Sequence, residues 1–216
     1  MNGWIAVLAG TPVDTQMGVE YLRTHGLAAL ACPVAADPVA QTAFQLSPGE
    51  EKIRAVGALL DGAMDRGCRA GFVYCNSLAG AVDFGPLARE RGLRIVTPLD
   101  VYQETARLYS ALGVISANAQ GLSGIERALL RAKPELRIFG ACCLDAVVAV
   151  EAGEDPSRLV ERLRLSLLAD WAQSCGAEAL VLGCTHFPWF KDALAERTSL
   201  PLIDPADRML SLLRGE

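Results

Sequence analysis

Residues 179–186, Ala179-Leu-Val-Leu-Gly-Cys-Thr-His186, run from an unbroken apolar stretch into a glycine, a thiol and two polar side chains. An apolar run without alternation fits a strand buried on both faces, as in a parallel sheet covered by helices. The stretch has a counterpart upstream. Phe72-Val-Tyr-Cys-Asn-Ser77 also places a cysteine after a short apolar run, and small polar residues follow it. Behind each lies a helix-like segment and then another short run: Leu93-Arg-Ile-Val-Thr-Pro-Leu-Asp100 in the first case, Pro201-Leu-Ile-Asp-Pro-Ala-Asp207 in the second. Ile5-Ala-Val-Leu-Ala-Gly10 is matched in the same way by Gly113-Val-Ile-Ser-Ala-Asn118. Cys75 and Cys184 are separated by nearly as many residues as Val7 and Val114, so the chain reads as two copies of one four-stranded unit. The expected domains are 1–99 with 206–216, carrying Cys75, and 100–205, carrying Cys184.

Working outward, short strand-like runs are expected at 4–9, 27–32, 71–74, 93–97, 112–116, 136–140, 179–182 and 201–203. Helical spacing fills the gaps. The segment 50–66 puts Ile53, Val56, Leu59, Leu60 and Met64 on one face, and 156–174 does the same with Leu159, Leu163, Leu167 and Trp171. Asp155-Pro156 reads as the start of that second helix, and a long helix is expected from Asp100. Strands alternating with helices define the α/β class, with each domain a mostly parallel four-stranded sheet flanked by helices.

Composition sets the outer bounds. The 216 residues carry a net charge of −5, which disfavours a nucleic-acid partner, since neutralising phosphates takes a basic face. Hydrophobic residues make up 51% and charged ones 21%, the balance of a chain with a packed core. No apolar run reaches the roughly 18 residues that span a bilayer, so no membrane partner is expected. The seven cysteines are an odd set with no Cys-x-x-Cys pair, and the two histidines, His25 and His186, lie far apart, so neither a disulfide framework nor a metal site is expected. A cytoplasmic protein with reduced thiols follows.

Ligands of parallel α/β sheets bind at the carboxyl ends of the strands, where Cys75 and Cys184 both fall. Two thiols approaching one ligand from opposite sides suit removal of a proton from one face of a carbon and its return to the other. Hydroxyls and the amide of Asn76 beside them suit carboxylate and ammonium groups. Cys32, Cys68, Cys142, Cys143 and Cys175 are read as packing residues, His25 as a surface cap, and Asp204 as a cap before Pro205.

Tyr74-Cys-Asn-Ser77 and Leu182-Gly-Cys-Thr-His-Phe-Pro188, together with Leu112-Gly-Val-Ile115 and Leu202-Ile-Asp204, resemble the paired signatures of the cofactor-independent aspartate/glutamate racemase superfamily. The resemblance implies two similar domains related by a pseudo-twofold axis, an active site in the cleft between them, frequent dimers, and no cofactor or metal. It implies that Cys75 and Cys184 are the two acid/base groups, that His186 assists Cys184, and that Asp14 partners Cys75. Thr11, Asn76, Ser77, Asn118 and Thr185 would then hold an amino acid or small carboxylic acid. The sequence also departs from the pattern. Ala9-Gly-Thr11 stands where Asp-Ser-Gly is usual, Ser116-Ala-Asn-Ala-Gln-Gly121 replaces a threonine-bearing loop, and Ser77 stands where Thr is common. The expected activity is racemisation of an acidic amino acid, aspartate or glutamate. A hydantoin racemase, a related isomerase, a malonate decarboxylase and a non-catalytic small-molecule binder remain open alternatives.

Overall fold

A computed structural model describes residues 3–216. The chain divides into two compact units: residues up to Asp100 together with Ala206–Glu216, and Val101–Pro205. The first unit contains β1 (Trp4–Ala9), α1 (Pro12–Thr24), β2 (Ala29–Pro33), α2 (Pro38–Leu46), α3 (Gly49–Asp65), β3 (Cys68–Val73), α4 (Asn76–Ala81), α5 (Phe84–Arg91) and β4 (Arg94–Val96). The chain passes into the second unit within α6 (Pro98–Ala106). There follow β5 (Ala111–Ser116), α7 (Ala119–Ala132), β6 (Arg137–Cys142), α8 (Leu144–Glu151), α9 (Pro156–Arg162), α10 (Leu165–Ser174), β7 (Ala179–Gly183), α11 (Lys191–Ala195) and β8 (Leu202–Ile203). The last helix, α12 (Pro205–Arg214), returns to the first unit, where Tyr21 donates to Asp207 at 2.8 Å and Arg214 to the His25 carbonyl at 3.1 Å.

Each unit is built on a four-stranded parallel sheet, ordered β2-β1-β3-β4 in one and β6-β5-β7-β8 in the other. The two orders are the same apart from the numbering, so the repeat seen in the sequence is a repeat of topology. The central strands explain the absence of alternation: every residue of β5 and β7 is buried, as are residues 5–9 of β1. Helix starts follow local chemistry. Asp37, Asn118 and Asp155 each accept a backbone N–H from the first turn of the helix that follows. Asp100 accepts from the Thr97 amide and hydroxyl at 2.8 and 2.9 Å, so the helix expected from Asp100 opens at Pro98, and it closes after nine residues.

The expected single helix over 156–174 is two helices. Arg164 takes φ +52, the one left-handed non-glycine residue among those described, and breaks the helix between α9 and α10. The break turns the buried face of α10 to Leu165, Ala169 and Ala172, leaving Leu167 and Trp171 exposed. Ile53, expected on the core face of α3, is likewise exposed, whereas Val56 and Leu60 are fully buried. Cys32 and Cys68 pack as expected, but Cys142 is exposed at the end of the sheet-edge strand β6, and Cys143 and Cys175 are only half-buried.

Candidate active site

In the first unit the chain leaves β3 through Tyr74, whose amide still bonds the Leu8 carbonyl at 2.8 Å, and Cys75 then caps α4 with extended backbone. Its Sγ lies 3.3 Å from Ser77 Oγ. On the neighbouring strand, the loop after β1 folds around Asp14. That carboxylate accepts from the Gly10 amide at 3.0 Å, the Thr11 amide at 2.6 Å and the Thr11 hydroxyl at 3.1 Å. Gly18 lets α1 approach the sheet closely: a methyl there would lie 2.7 Å from Val7 and 2.9 Å from Tyr74, whose peptide leads to Cys75. Burial, and then the negative field of Asp14, push the Cys75 thiol up to about 11, against the opposing pull of the Ser77 hydroxyl and the Leu78 and Ser77 amides. At neutral pH Cys75 is therefore a protonated thiol.

In the second unit β7 ends at Gly183, which has no room for a side chain. A methyl there would sit 2.9 Å from the Ile115 carbonyl, so the pairing of β5 with β7 requires glycine. The next residue, Cys184, has its Sγ 3.6 Å from His186 Nδ1, and His186 Nε2 lies 3.3 Å from Glu151 Oε1 at the end of α8. A carboxylate only accepts, so Nε2–H donates to Glu151, and in the neutral imidazole Nδ1 turns a lone pair toward the thiol. Sulfur, imidazole and carboxylate thus form a continuous chain in which the imidazole can take the thiol proton and the carboxylate can stabilise the cation that forms. His186 is almost wholly enclosed, and Trp189 donates to the Glu154 carbonyl at 2.9 Å, tying the Phe187–Phe190 turn to the segment after α8.

Glu151 was not among the residues expected from the sequence. It lies 35 residues before His186, and its local signal is only an acid closing the apolar run Ala146-Val-Val-Ala-Val150. Of the expected site residues, Cys75 meets Ser77, Thr11 meets Asp14, and Cys184 meets His186. Asn76 and Thr185 are buried beside their cysteines in sequence. Asn118 uses its side-chain oxygen to cap α7, accepting from Gly121 at 2.9 Å. Among the described residues no group of three or more His, Cys, Asp or Glu side chains is placed to hold a metal ion. No described helix is long and apolar enough to cross a membrane.

Fold and site together define a duplicated parallel α/β protein with a cysteine at an equivalent strand end of each repeat. Residues 36–213 match the model of the Asp/Glu/Hydantoin racemase family, and the chain belongs to that family. Among curated relatives it is 28% identical to a glutamate racemase of Beutenbergia cavernae over 63% of this chain and 48% of that one. It is 26% identical to a glutamate racemase of Corynebacterium diphtheriae over 72% of this chain and 56% of that one. The chain thus spans about half the length of these relatives. Among solved structures, glutamate racemase from Francisella tularensis superposes with a TM-score of 0.74 at 17% identity, over 99% of this chain and 80% of that one. An aspartate racemase homologue from Pyrococcus horikoshii gives 0.66 at 15% identity, over 97% and 98%.

Proposed function

We propose that the chain is a cofactor-independent racemase of an acidic amino acid, glutamate or aspartate, working by proton transfer at Cα between two cysteines. The observation that carries this reading is the repetition itself: each unit ends an equivalent strand in a cysteine with its own polar partner, Ser77 for Cys75 and the His186–Glu151 pair for Cys184. The two surroundings differ in the sense a two-base reaction needs. Cys184, its proton passed to His186, is the thiolate that takes the α-proton from one face. Cys75, kept protonated by burial and Asp14, delivers its own proton to the opposite face of the resulting planar carbanion. One C–H bond breaks and one forms, the proton count is unchanged, and the reverse reaction exchanges the two roles. Asn76, Ser77 and Thr185, with Thr11 and Asn118, are proposed to hold the α-carboxylate and ammonium groups. The relatives support the substrate class: several are named glutamate racemases, and the Francisella tularensis structure is of a complex with D-glutamate. A cytoplasmic homodimer is proposed on the same family likeness, to be read by fractionation and sedimentation velocity.

The test is incubation of each enantiomer of glutamate and aspartate, and of allantoin, in D₂O, followed by proton NMR and chiral chromatography. The reading predicts deuterium at Cα together with the opposite enantiomer for at least one of the two amino acids. Absence of exchange with all of them overturns the substrate assignment. Exchange with allantoin alone would move the substrate to the ring compounds suggested by the allantoin racemase from Klebsiella pneumoniae, which shares the fold.

A further inference from the structure

Ser77 is held from a second side by a residue that lies outside both cysteine motifs. Gln45, in the last turn of α2, donates its Nε2–H to Ser77 Oγ at 2.9 Å, while the same oxygen lies 3.3 Å from Cys75 Sγ. A serine hydroxyl has one proton to give and two lone pairs to offer. The Gln45 amide takes one lone pair, and once the sulfur is ionised it can only accept, so the hydroxyl proton is then the one that points at it. We propose that Gln45 is a positioning residue for proton transfer at Cys75, fixing Ser77 as a hydrogen-bond donor to the sulfur so that the anion left when the thiol gives up its proton is already solvated. The inference rests on the reading of Cys75 as a proton-transfer group.

The way Gln45 is anchored supports a positioning role. Lys52 Nζ, reaching from α3, donates to the Gln45 carbonyl at 3.1 Å, and the Ser47 amide and hydroxyl both bond the Phe44 carbonyl, at 3.2 and 2.9 Å. The last turn of α2 is therefore pinned on both sides of Gln45. One helical turn earlier, Gln41 lies against Gly10, and a methyl built on that glycine would fall on the Gln41 amide. Residues four apart share a helix face, so α2 lays one glutamine on the loop after β1 and the next on the first turn of α4. Asp14, from α1, is the charged group whose field reaches Cys75; α2 contributes only neutral amides, setting hydrogen-bond direction without adding charge. Among the groups that favour the ionised sulfur, the Ser77 hydroxyl has the largest effect.

The experiment is a double-mutant cycle of Gln45→Met and Ser77→Ala in the full chain, read by the rate of Cys75 alkylation with iodoacetamide from neutral to mildly alkaline pH, at the peptide level. Methionine keeps the length and neutrality of glutamine but has no donor. The expected result is a drop of about three- to tenfold for Gln45→Met at each pH, the scale of a weakened hydrogen bond to a charged group. In the Ser77→Ala background the same substitution is expected to have no further effect. Equal alkylation of Cys75 in all four proteins overturns the proposal, as does an equal drop with and without Ser77, which would mark a packing role. Racemisation by a Cys75→Ser variant is scored separately. If that variant turns over as fast as the parent, the two-thiol reading falls, whereas the link from Gln45 to Cys75 is decided by the alkylation rates alone.

Discussion

Cys75 and Cys184 hold equivalent places in two repeats, yet one lies in the field of a carboxylate and the other beside an imidazole. Replacing Asp14 by Asn keeps one acceptor oxygen for the Thr11 amide and hydroxyl, gives up the one that faces the Gly10 amide, and removes the charge that helps raise Cys75. The Cys75 pKa should fall, and its alkylation rate at fixed pH should rise several-fold; an unchanged rate would show that burial alone sets the thiol. Replacing Glu151 by Gln removes the negative charge and puts in an amide that can donate as well as accept, so the His186 tautomer is no longer fixed, and kcat/KM for racemisation should drop by about 10²-fold while the melting temperature holds. The sign of the pH effect on stability follows from the raised thiol. Cys75 is about 11 when folded against an ordinary 9, so its contribution is complete below pH 9 and is lost as the pH climbs through 11. Adjacency made Cys75, Ser77, Cys184 and His186 legible in the sequence, because each pair is separated by one residue. Glu151 and Gln45 were not legible, since 35 and 32 residues separate them from the partners that give them meaning.

Among the elements, strands were easier to read than helix ends. Buried parallel strands carry their signature in every residue, and β1 and β7 were placed to within a residue of their bounds. The break at Arg164 had no comparable signal: an arginine takes the left-handed conformation that glycine favours, and the apolar spacing across it mimics a continuous helix. Gly183 and Gly18 test how tightly the elements that carry the site are fitted. Alanine at Gly183 must push against the Ile115 backbone carbonyl, and alanine at Gly18 against Val7 and Tyr74. Each should cost about 1–3 kcal/mol of stability in urea denaturation, the usual range for overpacking. A loss well below that at Gly183 would mean that β7 can shift to make room.

Across the whole molecule, the identical strand orders show why a sequence echo between distant segments carried the architecture: the repeat is of supersecondary units, each with its own apolar pattern. The return of α12 to the first unit couples the end of the chain to its beginning. Leu213 is fully buried there, and Leu213→Ala should cost about 2–5 kcal/mol, seen as faster amide exchange in β1–β4 with β5–β8 less affected. The central claim, that the duplicated thiols divide one racemisation between them, is tested most directly by single Cys75→Ser and Cys184→Ser variants assayed for kcat/KM on the racemised enantiomer pair. The account predicts that each loses about 10²–10⁴-fold, the worth of a positioned acid or base. Racemisation at the parent rate by either variant would contradict it.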